Sequence, residues 1–169
     1  YAKDIKDSAN SLLSIINEIL DSSKIESGKM EIINANYDIS SVFNDIYNMI
    51  SVRAKEKELD LIFDISPSIP NEYFGDDKRI KQVLLNILTN AVKYTFEKNK
   101  KLVVRAEQYE STTVLTLQDE GIGIPKSDLS RVTKAFFTGE NGRKTGESTG
   151  MGLYLAKEIC EKLGHELNI

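Results

Sequence analysis

The sequence predicts an α+β chain in which one long helix is followed by shorter helices and short strands mixed along the sequence. Three observations lead there. Apolar residues recur at alternating spacings of four and three from Ile5 to Ile19, the seam of a helix that packs on a partner. Helical stripes return from about Ser41 to Lys57, from about Asp77 onward, and from Gly150 to about Leu163. Between them, Leu59 to Ile65 alternates apolar and polar residues, and Lys101 to Tyr109 and Thr112 to Leu117 have strand composition.

Length and composition set the frame. With 169 residues, one ordinary domain and an appendage fit. Hydrophobic residues make up 40% and charged residues 28%, enough for a packed core and against wholesale disorder. The net charge of -4 gives no reason to expect nucleic acid as a partner. The lone Cys160 excludes an internal disulfide and fits a reducing, cytoplasmic compartment. No apolar run approaches the roughly 18 to 20 residues of a membrane span. Because the first residue is Tyr1, the chain reads as part of something longer.

The opening helix carries Ile5, Ala9, Leu12, Ile16 and Ile19, widened by Leu13 and Leu20, and can end at Gly28. Such a stripe needs a partner, and half of a severed helical hairpin fits it. A short strand is expected at Met30 to Ile33 or at Asn36 to Ile39. The second helix buries Phe43, Ile46, Tyr47, Ile50 and Ala54. Pro67 and Pro70 keep the stretch after the first alternating strand open as a loop. Gly75-Asp76-Asp77 starts the third helix, with aspartates suited to cap it.

The third helix has two faces. Ile80, Val83, Leu84, Ile87, Leu88 and Ala91 form its core stripe. Arg79, Gln82, Asn86, Asn90 and Lys93 form a polar stripe without a carboxylate, which fits a site for an anion. Asparagine is a poor mid-helix residue, since its amide competes for the backbone. Repeating it one turn apart points to use of the amides, and an amide oxygen is a hard, uncharged ligand suited to magnesium beside phosphate.

The two strands that follow meet at a turn around Glu110-Ser111. Next comes Asp119-Glu120-Gly121-Ile122-Gly123, whose glycines allow a sharp turn or close approach to a flat ligand. Pro125 suits the start of a short helix near Lys126 to Val132. From Thr138 to Gly150 there is no hydrophobic periodicity and there are four glycines. A loop of that length is usually functional. It feeds the helix that opens at Gly150-Met151-Gly152-Leu153, and such a junction binds phosphate through free N–H groups and the helix dipole. Arg143 and Lys144 add positive charge. The last helix stops at Gly164, and His165 to Ile169 is expected to begin a strand.

In this order, the asparagine helix, the Asp-x-Gly-x-Gly turn, the glycine-rich segment and the Gly-x-Gly-Leu helix start resemble the ATP-binding domain of sensor histidine kinases. That domain shares its fold with gyrase, chaperone and mismatch-repair ATPases. The opening segment, through Ser22-Ser23-Lys24-Ile25-Glu26-Ser27-Gly28-Lys29, resembles the second helix of the family's dimerisation hairpin and its linker. The resemblance implies residues 1–29 as hairpin helix plus linker, and 30–169 as the ATP-binding catalytic domain. The implied fold is a two-layer α/β sandwich, a mixed sheet with helices on one face and an ATP lid. By position, Asn86 and Asn90 would hold Mg2+ and phosphates, Lys93 would contact phosphate and Tyr94 would lie against adenine. Asp119, expected as a buried acid, would accept a hydrogen bond from the adenine amino group, a choice of adenine over guanine. Gly121 and Gly123 would let the base approach. Thr149, Gly150, Gly152 and Leu153 would bring the helix N-terminus under the phosphates, with Arg143 and Lys144 in the lid.

The implied reaction is transfer of the ATP γ-phosphoryl group to a histidine on the first hairpin helix, upstream of Tyr1, for relay to a response regulator. Self-association through the opening helix, giving a homodimer, is implied with it. His165 follows the helix-ending Gly164 outside any hairpin, and a turn residue is its better reading. Two positions depart from the family pattern: Thr133 stands where a lid phenylalanine is usual, leaving Phe136 and Phe137, and Met151 replaces a leucine. Two other readings stay open: a degenerate module that only binds nucleotide, and an ATP-hydrolysing relative. The second would need a glutamate in place of Asn86 to activate water.

Overall fold

The computed structural model describes residues 2–145 and 148–169; within them, the side chains at 2–4, 6–8, 10, 11, 14 and 143–145 lie outside the description. The described order is α1 (Ala2–Glu26), β1 (Ala35–Asp38), α2 (Ile39–Glu56), β2 (Asp60–Ile65), β3 (Glu72–Gly75), α3 (Asp77–Tyr94), β4 (Lys101–Tyr109), β5 (Thr112–Asp119), α4 (Glu140–Thr145) and α5 (Gly152–Leu163).

The main sheet runs β2-β4-β5, with β2 parallel to β4 and β4 antiparallel to β5. Its register aligns Phe63 with Val104 and Val104 with Leu117. Strand alternation puts that row on one face, together with Leu61, Ile65, Leu102, Ala106 and Leu115, and this face packs against α2 and α3. Ile46, Ile50 and Leu88 are fully buried there. A second cluster joins α5 to α3 and to the end of α1 through Ile25, Met30, Val83, Met151, Leu155 and Ile159. This is the predicted mixed sheet with helices on one face. Met151 is 1% exposed, so it fills the apolar space expected of it.

The short early strand forms at its second expected position, and Met30 to Ile33 is not a strand. β1 pairs antiparallel with β3 in a separate two-stranded sheet, and the periodicity gave no sign of β3. No helix forms at 126–132. Consecutive turns do, with Asp128 N–H bonded to Pro125 O at 2.8 Å and Arg131 N–H to Asp128 O at 2.8 Å. The expected loop contains the short helix α4. His165 to Ile169 forms no strand. His165 instead closes α5, its N–H reaching Cys160 O at 2.8 Å after Gly164 at φ 73°, the left-handed helix ending. It is exposed, in keeping with a turn residue. Burial pushes the Cys160 thiol up, which keeps it protonated and inert.

α1 leaves its seam open. Ile5 is 70% exposed, and Leu12, Leu13, Ile16, Ile19 and Leu20 are exposed with it. Among the described side chains, α1 docks from Glu18 onward, through Glu18, Asp21 and the buried Ser22 and Ile25. Among the described residues, no helix is long and apolar enough to cross a membrane.

The start of α3 is fixed by Asp76, which is 4% exposed. Its Oδ1 accepts from Arg79 N–H at 3.1 Å as the helix cap, and its Oδ2 accepts from Ile33 N–H at 2.9 Å. Losing both bonds removes a cap and strands a backbone donor, so Asp76→Ala is expected to cost about 2 kcal/mol. A lower urea midpoint at unchanged slope is the check.

Candidate functional site

The polar stripe of α3 divides in two. Its first turn is occupied from within the chain: Arg79 Nη1 donates to Asp21 Oδ1 at 3.4 Å, and Gln82 Nε2 donates to Asp21 Oδ2 at 2.7 Å. The anion that Arg79 and Gln82 meet is therefore a carboxylate on α1, a correction to their place in a ligand site. Asn86 lies one turn further on. Its Nδ2 is buried and has no hydrogen-bond partner. Buried polar atoms are nearly always satisfied, so an orphan here marks a place for a polar ligand. A groove between α2 and α3 also reaches Gln82 and Asn86, but it is lined by α2 and α3 alone and is separate from the start of α5.

Asn90 faces the start of α5. A Cβ added at Gly152 would stand 3.3 Å from Asn90 Nδ2. The glycine thus lets the asparagine amide and the helix N-terminus share one place. The N-cap Met151 offers no side-chain cap. Its N–H reaches Thr149 Oγ1 at 3.3 Å. Gly150 sits at φ 72° against the backbone of Phe136 and Phe137. Leu153 is half-buried on the first turn of α5.

At its C-terminal end α3 receives the glycine turn. Ile122 N–H donates to Tyr94 O at 3.2 Å. Asp119 Oδ1 accepts from Gly121 N–H at 2.9 Å. A Cβ at Gly121 would lie 2.7 Å from Asp119 Oδ1 and 2.8 Å from Tyr94 O, so only glycine allows this approach. Alternation along β5 puts Asp119 on the helix-facing side, level with Leu102. The acid is nevertheless exposed, which corrects the expectation of burial: it stands at the sheet end, where no helix covers it. Lys57 Nζ, which nothing in the sequence singled out, donates to Val92 O at 2.7 Å and Lys93 O at 2.9 Å and holds the end of α3.

The glycine-rich segment closes over this end. Tyr94 OH and Ser148 Oγ share a hydrogen bond of 2.6 Å, and Asn141 Nδ2 donates to Gly123 O at 3.1 Å. Gly123 has φ 66° with open space around its Cα. Lys93 Nζ lies 5.9 Å from the Tyr94 ring centre. The Arg143 and Lys144 side chains lie outside the described residues. Thr133 is half-buried; in this stretch Ala135 packs on the second cluster, Phe136 is exposed, and the Phe137 ring has the Arg131 guanidinium 4.4 Å from its centre.

Residues 75–169 match the family model described as histidine kinase-, DNA gyrase B-, and HSP90-like ATPase. The chain belongs to this family. Within it, the sequence is 38% identical to hybrid signal transduction histidine kinase B of Dictyostelium discoideum, over 98% of this chain and 9% of that protein. It is 36% identical to the sensor histidine kinase GacS of Pseudomonas protegens, over 100% of this chain and 19% of that protein. The chain thus spans a small part of the curated relatives it matches. The fold matches full-length ShkA, solved in complex with AMPPNP, with a TM-score of 0.81 at 24% identity, covering 97% of this chain and 34% of that one. The family match spans α3, β4, β5, α4 and α5, while β1, α2 and β2 precede it.

Proposed function

We propose that this chain binds Mg-ATP between α3 and the 138–150 lid and transfers the γ-phosphoryl group to a histidine on a dimerisation hairpin helix outside these residues, for relay to a response regulator. The observation that carries the reading is the convergence of Asn90 on the uncapped start of α5, with the buried, unpartnered Asn86 Nδ2 one turn away. Amides and helix N–H groups together suit a metal-bound phosphate chain. The residues fit Mg2+ held by Asn86 and Asn90, since this ion is commonly held by few protein oxygens with substrate phosphates. When bound, it neutralises charge on the phosphates being split. The chain itself supplies positioning: α5 amides and Lys93 for phosphate, Tyr94 and Asp119 for the base.

Asn86 favours transfer over hydrolysis, because an amide cannot act as the general base that water attack needs. The open seam of α1 supports residues 1–29 as half of a hairpin that dimerises with a second copy. The catalytic domain at 30–169 and a cytoplasmic setting belong to the same reading.

Calorimetry with Mg-ATP should give one-site binding, and labelled ATP should mark a supplied acceptor hairpin while leaving His165 unmarked. A folded chain that gives no heat with either Mg-ATP or Mg-ADP overturns the proposal.

A further inference from the structure

We propose that Glu18 of α1 is a built-in competitor of the nucleotide phosphates, so that docking of α1 and loading of the site oppose each other. The inference rests on the nucleotide site proposed above.

Glu18 Oε2 accepts from Thr149 Oγ1 at 2.7 Å, and Thr149 Oγ1 accepts from Met151 N–H at 3.3 Å. The carboxylate is thus one hydroxyl away from the N-terminus of α5. That terminus has no side-chain cap of its own, and the Thr149 hydroxyl links it to the Glu18 carboxylate. A helix N-terminus favours negative charge. An incoming phosphate would need the same amides, and Gly152 already brings Asn90 to them. Two anions cannot share a partly buried place without strong repulsion. Phosphate entry therefore requires Glu18 to leave.

Glu18 is held there by the rest of the α1 dock. Asp21, three residues on, bonds both Arg79 and Gln82 on α3. Ser22 and Ile25 are buried, Ile25 among Val83, Leu155 and Ile159. Because α1 spans from these contacts to an exposed apolar seam, a load on that seam can lift Glu18 away. Coupling between two sites is reciprocal. Nucleotide should loosen α1 by the same factor that α1 weakens nucleotide.

The test is calorimetric affinity for Mg-ADP in the unmodified chain, in Glu18→Gln and in Glu31→Gln. Glu18→Gln keeps the side-chain shape and an acceptor for Thr149, so folding is not at stake. Glu31 is exposed and outside α1, and its substitution removes an equal charge away from the site. Glu18→Gln should bind about tenfold tighter, within the ordinary range of such couplings, and Glu31→Gln should bind as the parent does. Saturating Mg-ADP should also speed amide hydrogen exchange over residues 18–26. Equal affinity of all three chains, or slower exchange over 18–26 on binding, overturns this inference and leaves the nucleotide site standing. Absence of binding in all three folded chains overturns the site and the inference together.

Discussion

Asn90→Ala is expected to lower phosphotransfer from Mg-ATP to a supplied acceptor hairpin by about 10²-fold or more, the usual cost of removing one group that stabilises charge in the transition state. The structure separates this loss from damage to the fold. Asn90 lies on α3 where its amide meets the start of α5, and it is only half-buried. Alanine is a better helix former than asparagine by roughly 0.6 kcal/mol. The variant should therefore melt at the same temperature as its parent or slightly higher. An activity loss that travels with a lower melting temperature would assign Asn90 to packing rather than to the site.

What the sequence made legible was whatever had a period. α1, α2, α3 and α5 each carry a stripe several turns long, and β2, β4 and β5 pair faces whose alternation survives in the register. β3 did not show because it has four residues, follows Pro70, and pairs with an equally short strand that lies far back in the chain. α4 did not show because six residues with a glycine have no apolar face to read. The turns at 126–132 begin as a helix would, at a proline, but the bonds from Asp128 and Arg131 close four-residue turns, and the single helix-type bond, Val132 N–H to Asp128 O at 3.0 Å, does not continue.

The site was legible in its residue types and less so in their surroundings. A basic and amide stripe on α3 announces an anion, yet local sequence cannot tell a phosphate from the Asp21 carboxylate of a helix far away in the chain. The structure gives Asp21 to Arg79 and Gln82, and leaves the buried Asn86 Nδ2 without a partner. Asp119 shows the same limit. Its place at the end of a strand follows from the motif, but its exposure depends on how far α3 and the lid extend over the sheet edge.

Gly150→Ala is expected to be the most disruptive single methyl group in this region. The added Cβ would lie 2.6 Å from the carbonyl carbon of Phe136 and 2.8 Å from the backbone N and C of Phe137. Those are main-chain atoms and cannot rotate aside. Phe136 already sits at φ 60°, so its turn has little freedom to give way. Relief must come from the start of α5, where Met151 is buried beside Leu155 and Ile159. Strain at the positive φ and displacement of a packed helix end together should cost about 3 kcal/mol. For a domain of this size that lowers the melting temperature by roughly 6–12 °C, and Mg-ADP binding should fall with it because Gly152 moves away from Asn90. Gly123→Ala is the matched comparison. It carries the same kind of positive φ, at 66°, with no atom within 4 Å of its would-be Cβ, so backbone strain of about 1–2 kcal/mol is all it should show. If the two variants melt together, the close approach of Gly150 to the 136–137 turn does not exist in solution, and the lid is not anchored where α5 begins.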